Sequence, residues 1–424
     1  MNFFKNITSK ELYKVTTLNS VSVIVKICIG FISSKIIAVF IGPTGMALVG
    51  NLRNFITSVE NIGTLGFQNG VVKYVAEYEK EELKLKKLLS TILICLIVAT
   101  ILLSGFLFFF AHYLNNEIFG GSYQFRVIFK AFAISLPWYI ASLFLVSVLN
   151  GLGKFKEVIR INIFGNSIGL ILSFVLIYKY QTFGALLAVI LAPSMLFFIT
   201  IYYFNSKTSL LKLFSRNYFD FSILKNLSEY SMMALVSAVI GPIIFILIRN
   251  NIIAKLGYEK AGYWEAMTRI SSYYLLFLTT ILAVYFLPKL AKTENNQETK
   301  SIFWSYFKHI LPLFTLGLIV LFFIKDNLIA ILFTKEFLPV STLFFWQLLG
   351  DFFKAISLIL GYQFFAKKLT NAFIATELFS LSILYFSSVY LISIYDIQGI
   401  VMAHALTYFV YVLILCLYFR KSLF

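Results

Sequence analysis

Residues 42–78 read GPTGMALVGNLRNFITSVENIGTLGFQNGVVKYVAEY. An apolar helix opens on the turn Gly42-Pro-Thr-Gly45 and carries Arg53 and Glu60 in its interior. It leaves through Gly63, Gly66, Asn69 and Gly70 into a basic, tyrosine-rich run, KYVAEYEKEELKLKK. Seven residues separate Arg53 from Glu60, so on a straight helix they fall about 20° from a common face. An ionisable group at membrane depth is costly, and by default it marks a functional site.

That this helix crosses a membrane follows from composition. The 424 residues are 60% hydrophobic and 13% charged, with a mean hydropathy of +0.86. A soluble domain is about half apolar and about a quarter charged. Runs of ~20 apolar residues are needed for each crossing. Twelve are read at 17–41, 46–72, 88–112, 127–150, 158–178, 183–204, 230–254, 264–288, 304–324, 343–365, 372–394 and 398–419, numbered here as spans 1 to 12. Every span is helical, which makes an all-α integral membrane protein. A cytoplasmic segment, 1–16, precedes an N-lobe over 17–204. The basic, apolar stretch 205–229 reads as an amphipathic inner-leaflet linker, and a C-lobe fills 230–424.

The net charge of +17 is distributed as a topology signal. Lysines and arginines gather before span 1 and after the even-numbered spans, while the alternate connections are poor in both. This is the positive-inside pattern, with both termini cytoplasmic. It matches anionic headgroups and is no footprint for nucleic acid. Cys28, Cys95 and Cys416 lie within spans, so neither a disulfide framework nor a cysteine metal site is expected. The first apolar run is too long for a cleaved signal peptide.

The second half repeats the first. Gly257 to Gly262 stands after span 7 where Gly42 to Gly45 stands after span 1. Arg269 follows Gly262 by seven residues and Arg53 follows Gly45 by eight; Arg53 to Lys73 and Arg269 to Lys289 are both twenty. Six spans per half give both halves one orientation, hence two lobes related by a pseudo-two-fold along the membrane normal.

Catalysis has little to work with. His112, His309 and His404 are scattered, no nucleophile–base order is present, and the GLGK at 151–154 lacks the rest of a phosphate loop. Neither enzyme activity nor a cofactor or metal is expected. The informative groups are ions within spans. Glu265 with Arg269, and Asp351 with Lys354, have the spacing of local helix pairs. Lys26, Lys35 and Arg249 have no acidic neighbour on their own helices, and Lys26 and Lys35 fall on opposite faces of a straight span 1. Asn162 and Asn166 of span 5 fit either the lining of a wet interior or helix–helix hydrogen bonding, and the second reading is preferred. Together these residues imply a cationic cavity between the halves, suited to a diphosphate.

GPTGMALVGNLRNFIT, FQNGVVKYVAEY, VYFLPKLAK in span 8 and WQLLGDFFK in span 10 resemble the bacterial O-antigen and lipid III flippases. These belong to the multidrug/oligosaccharidyl-lipid/polysaccharide exporter (MATE-like) superfamily. The resemblance implies an inner-membrane protein that moves an undecaprenyl-diphosphate-linked oligosaccharide to the periplasmic leaflet by alternating access on an ion gradient. Membrane lipids, a polysaccharide polymerase and a chain-length regulator are the further partners it implies. Lys26, Lys35 and Arg53 match the basic motif of the first lobe, with Arg249 and Arg269 as second-lobe counterparts. Glu60, Glu265 and Asp351 are the carboxylates that would titrate or pair with them. Two rivals stand beside this reading: a cation-coupled multidrug exporter, which calls for a net negative site, and a polysaccharide polymerase or ligase, which calls for a large extramembrane loop.

Overall fold

The computed structural model describes residues 9–121, 125–205, 218–224, 231, 232 and 235–423. Among these residues all regular structure is helical. In hydrocarbon every backbone N–H and C=O must be satisfied inside its own segment, and a helix does that. Ten helices are long and apolar enough to cross a membrane. Two of them contain a sharp break: the run Ser9–Gly63 turns at Gly42, and the run Phe155–Asn205 turns at Gln181. Each therefore holds two spans, giving the twelve crossings read from the sequence.

The turn expected over 42–45 contracts to one residue. Gly42 adopts φ 62°, ψ −167°, a conformation open to glycine and strained for other residues. Pro43 then starts the next helix, where its missing N–H costs nothing. The helix that contains span 1 begins at Ser9. Most of the amphipathic linker expected over 205–229 lies outside the described residues. Within its described part, Asp220 Oδ1 accepts from the Ser222 backbone N–H at 3.0 Å and hydroxyl at 2.7 Å, and the Asp220 N–H reaches Thr91 Oγ1 of span 3 at 2.9 Å. The two bonds from Ser222 hold the Asp220 carboxyl below its ordinary value.

The chain divides into two compact units, Met1–Phe40 with Leu52–Val239, and Ile41–Asn51 with Ile240–Phe424. The first is centred on span 4, where Phe129, Phe132, Leu136 and Val148 are fully enclosed, with Leu88, Leu89 and Ile92 of span 3 equally buried. In the second, the start of span 2 (Met46 to Val49) has no exposed surface. A Cβ on Gly262 would stand 2.0 Å from the Pro43 carbonyl, so the close approach of span 8 to the Gly42–Pro43 hinge requires glycine there.

The repeat is written in local geometry. Gly257, between spans 7 and 8, adopts φ 90°, ψ 168°, close to Gly42. Gln181 between spans 5 and 6 (50°, −129°) corresponds to Asp396 between spans 11 and 12 (56°, −144°). Gly153 after span 4 and Lys368 after span 10 both take positive φ and close the same pair of turn hydrogen bonds. Spans 3 and 9 each run into a short helix, Ala111–Phe119 and Lys325–Leu332, through Phe110 and Ile324 with nearly the same backbone angles.

Three residues after each matched hinge of spans 5–6 and 11–12 stands a glycine. A Cβ on Gly184 would lie 1.9 Å from Leu176 O, and one on Gly399 would lie 2.3 Å from Leu391 O; both acceptors precede their hinge by five residues. Gly184→Ala and Gly399→Ala should each cost about 1–3 kcal/mol, the usual penalty of overpacking against a neighbour that cannot yield. Gly317→Ala, where a Cβ meets nothing within 4 Å, is the control. Melting of the purified protein should fall by several degrees for the first two and not for the third. Unchanged melting of all three would remove the hinge constraint.

A polar cavity in one unit and a buried charge cluster in the other

Within the first unit, Arg53, Thr57 and Glu60 line one wall of a cavity of about 370 Å³. Ile29 and Ser33 of span 1, Tyr139 of span 4, and Gly165, Asn166, Gly169 and Ser173 of span 5 complete it, with Pro193 and its neighbours on span 6. Positions 53, 57 and 60 share a face because their spacings follow the helical repeat. The Gly165–Gly169 pair lets the walls approach: a Cβ on Gly169 would be 3.3 Å from Ala192 Cβ. The Glu60 carboxylate is fixed by a 2.6 Å bond from the Tyr139 hydroxyl and a 3.5 Å bond from Gln68 Nε2. Tyr139 is buried and holds its bond away from solvent. Arg53 is half-buried and lines the same space.

The second unit handles charge differently. Glu265 takes two arginines at once: Arg249 Nη2 donates to Oε2 at 2.7 Å, and Arg269 Nε donates to Oε1 at 2.8 Å. Exposures of 1%, 6% and 4% for Arg249, Glu265 and Arg269 put the whole triad in the interior. Arg249 Nη1 also donates to Asn51 Oδ1 at 3.0 Å, and its guanidinium lies 4.9 Å from the Trp264 ring centre, itself stacked on Phe245. Gly50 makes room, since a Cβ there would stand 2.4 Å from Glu265 Oε2.

Asp351, with no exposed surface, is the hub of a second cluster. Its Oδ2 accepts from the hydroxyls of Ser271 (2.7 Å) and Tyr274 and from Gln347 Nε2 (3.1 Å), and its Oδ1 faces His404 Nε2 at 3.0 Å. Gln347, Ser271, His404 and Lys354 border a cavity of about 200 Å³. Gly350 admits the imidazole: a Cβ would come 2.3 Å from His404 Cδ2.

Several expectations change here. Arg249 has no acid on its own helix but is not unmatched; it shares the carboxylate expected to serve Arg269 alone. Asp351 and Lys354 act on each other through charge without forming a salt bridge, and the Lys354 ammonium lies 5.1 Å from the Tyr408 ring. Asn166 lines the wet cavity instead of bonding between helices. Lys26 is exposed and Lys35 half-buried, and neither borders the Arg53 cavity. Lys26 does stand three and seven residues before Ile29 and Ser33, which puts it on their face of span 1. His404, read as an isolated histidine, is the partner of Asp351. Arg249 and Glu265 each lie eight residues from Gly257, and a tight helical hairpin brings equidistant residues together. That register was a usable signal for the pair.

These features define a multi-pass membrane protein of transporter fold. An inward-facing MATE-family multidrug resistance transporter of the MOP superfamily superposes with a TM-score of 0.77 over 94% of each chain at 12% identity. The lipid II flippase MurJ, in an inward closed conformation, superposes with a TM-score of 0.67 over 96% of this chain and 87% of its own at 17% identity. The chain belongs to the polysaccharide biosynthesis protein family, whose model matches residues 43–342. It is also 27% identical over 410 residues to the lipid III flippases of Escherichia coli (strain K12) and Shigella flexneri, covering 96% of this chain and 97% of those proteins.

Removing one member of a buried ion cluster leaves charge uncompensated and costs about 3–5 kcal/mol, whereas replacing all members with apolar groups is often neutral. Glu265→Gln should therefore destabilise the protein by that amount. The triple variant Arg249→Met, Glu265→Leu, Arg269→Met should melt within a few degrees of wild type. Equal losses for both, or none for Glu265→Gln, would mean the triad does not carry the packing of the second unit.

Proposed function

We propose that this protein flips an undecaprenyl-diphosphate-linked oligosaccharide across the bacterial inner membrane, from the cytoplasmic to the periplasmic leaflet. Both termini lie in the cytoplasm in this reading, and the protein transports without catalysing bond making. The observation that carries it is Arg53, a guanidinium at a polar cavity inside a six-span unit. A diphosphate suits an arginine fork, which binds two oxygens at once. Glu60, pinned by Tyr139 and Gln68, offsets part of that charge and holds the site open to exchange. Lys26 and Lys35 of span 1 supply further cations along the route of the polar head, and the prenyl chain stays in lipid.

Alternating access would come from rocking of the six-span lobes. The Asp351–His404 pair is the candidate for coupling to a cation gradient, since it sets an imidazole against a buried carboxylate anchored by three further donors. Arg249 and Arg269 then hold the second lobe together and do not meet the substrate. The product would pass to a polymerase and a chain-length regulator on the periplasmic side. A multidrug exporter of organic cations is disfavoured by the guanidinium in the cavity.

In bacteria depleted of their own lipid III flippase, the wild-type chain should restore export, and Arg53→Ala at equal abundance should lower flux at least tenfold. A charge-assisted hydrogen bond is worth about 1.5–3 kcal/mol, which sets that scale. Wild-type flux from Arg53→Ala would overturn the assignment of the site.

A further inference from the structure

At the lysine- and arginine-rich end of the second unit, a recess of about 780 Å³ opens between the ends of spans 8, 10 and 12. Its floor holds Gln363, 6% exposed, whose Oε1 has no hydrogen-bond partner. A buried acceptor left without a donor costs about 1–3 kcal/mol. Lys367, Arg420 and Lys421 surround it, against the single carboxylate of Glu294 among the lining residues. Lys367 Nζ donates to the Thr293 carbonyl, which fixes its stem across the opening. One wall is apolar, formed by Leu369, Leu417 and Phe419.

The wall is held in place. Ser422 Oγ donates to Asn296 Oδ1 at 2.7 Å, and Trp304 Nε1 donates to Leu423 O at 3.1 Å, so the closing turn Arg420–Leu423 is tied back onto span 9. Cations at the rim, an unanswered acceptor at depth and an apolar side together describe an amphipathic ligand. It carries an anionic phosphate for the lysines and arginine, a hydroxyl donor for Gln363, and a hydrocarbon portion for the wall. Lys/Arg-rich ends of spans face the anionic leaflet, where such molecules are abundant.

We propose that this recess binds the headgroup of an anionic phospholipid, with its phosphodiester on Lys367, Arg420 and Lys421 and its free hydroxyl donating to Gln363 Oε1. The site lies wholly within the second unit and does not depend on what Arg53 binds. A glycerol-type headgroup has both the charge and the donor, whereas a methyl phosphodiester has the charge alone.

The test uses the full chain in detergent, with thermal shift and native mass spectrometry as readouts. Phosphatidylglycerol should raise the melting temperature by several degrees and stay bound, while phosphatidylcholine should not. Arg420→Ala with Lys421→Ala, two exposed positions safe for folding, should weaken that binding about tenfold. Gln363→Leu should bind phosphatidylglycerol and phosphatidylmethanol alike, where the wild type prefers the former. Equal responses to phosphatidylglycerol and phosphatidylcholine would overturn the proposal. So would a wild-type headgroup preference retained by Gln363→Leu, which would mean that water answers Gln363. Full protection by soluble glycerol phosphate at matched concentration would overturn the lipid as the source of the phosphate. Should Gln363→Leu fold poorly, lipid retention counted on the folded fraction by mass spectrometry gives the same comparison.

Discussion

The constraint on which the second unit depends is the one carboxylate of Glu265 between two arginines. Three ionised groups sit within a few ångströms in a medium where an isolated charge is expensive. Glu265 accepts from both arginines, and Asn51 and the Trp264 ring also meet Arg249, so one carboxylate answers two guanidiniums and the triad keeps an excess of positive charge. Gly50 follows as a requirement of the same cluster, because only a residue without a Cβ lets the start of span 2 approach the glutamate. The packing of spans 7 and 8 with the start of span 2 thus follows the two ion pairs to Glu265 and the room that Gly50 leaves for it.

The two halves share a scaffold and differ at this point. Arg249 precedes its hinge by eight residues and Lys35 precedes Gly42 by seven, yet eight residues past the hinge the second half has Glu265 and the first has Gly50. The duplicated hairpin therefore carries the Glu265 ion cluster in one copy and a glycine at the corresponding place in the other. The first half places its own carboxylate, Glu60, ten residues beyond Gly50, on the wall of the cavity with Arg53. One copy supplies a buried ion cluster, and the other supplies a polar cavity lined by Arg53 and Glu60. The corresponding arginines, 53 and 269, therefore stand in different surroundings, one on a cavity wall and one in an ion pair.

Much of this was legible in the chain. Apolar length gave the twelve crossings, and the glycine spacing gave the repeat, because a hinge at Gly42 or Gly257 needs a residue that tolerates positive φ. Gln181 and Asp396 hid their hinge because neither is the glycine that such a conformation favours. Partners across helices were legible only in part. Helical spacing exposed Arg269 with Glu265 but also suggested Asp351 with Lys354, where Ser271, Tyr274 and His404 took the carboxylate from two other spans and Gln347 from its own. Local pairing rules rank neighbours on one helix, and in a bundle the nearest donor commonly comes from another.

Of these claims the central one is that the cavity cation of the first unit meets the diphosphate while the second-unit arginines are structural. Binding of a short-chain polyprenyl diphosphate to purified protein measures it directly. Arg53→Ala should weaken the dissociation constant about tenfold or more, equivalent to about 1.4 kcal/mol. The charge-free triple variant, Arg249→Met with Glu265→Leu and Arg269→Met, should bind like wild type. Retained affinity in Arg53→Ala together with lost affinity in the triple variant would contradict it.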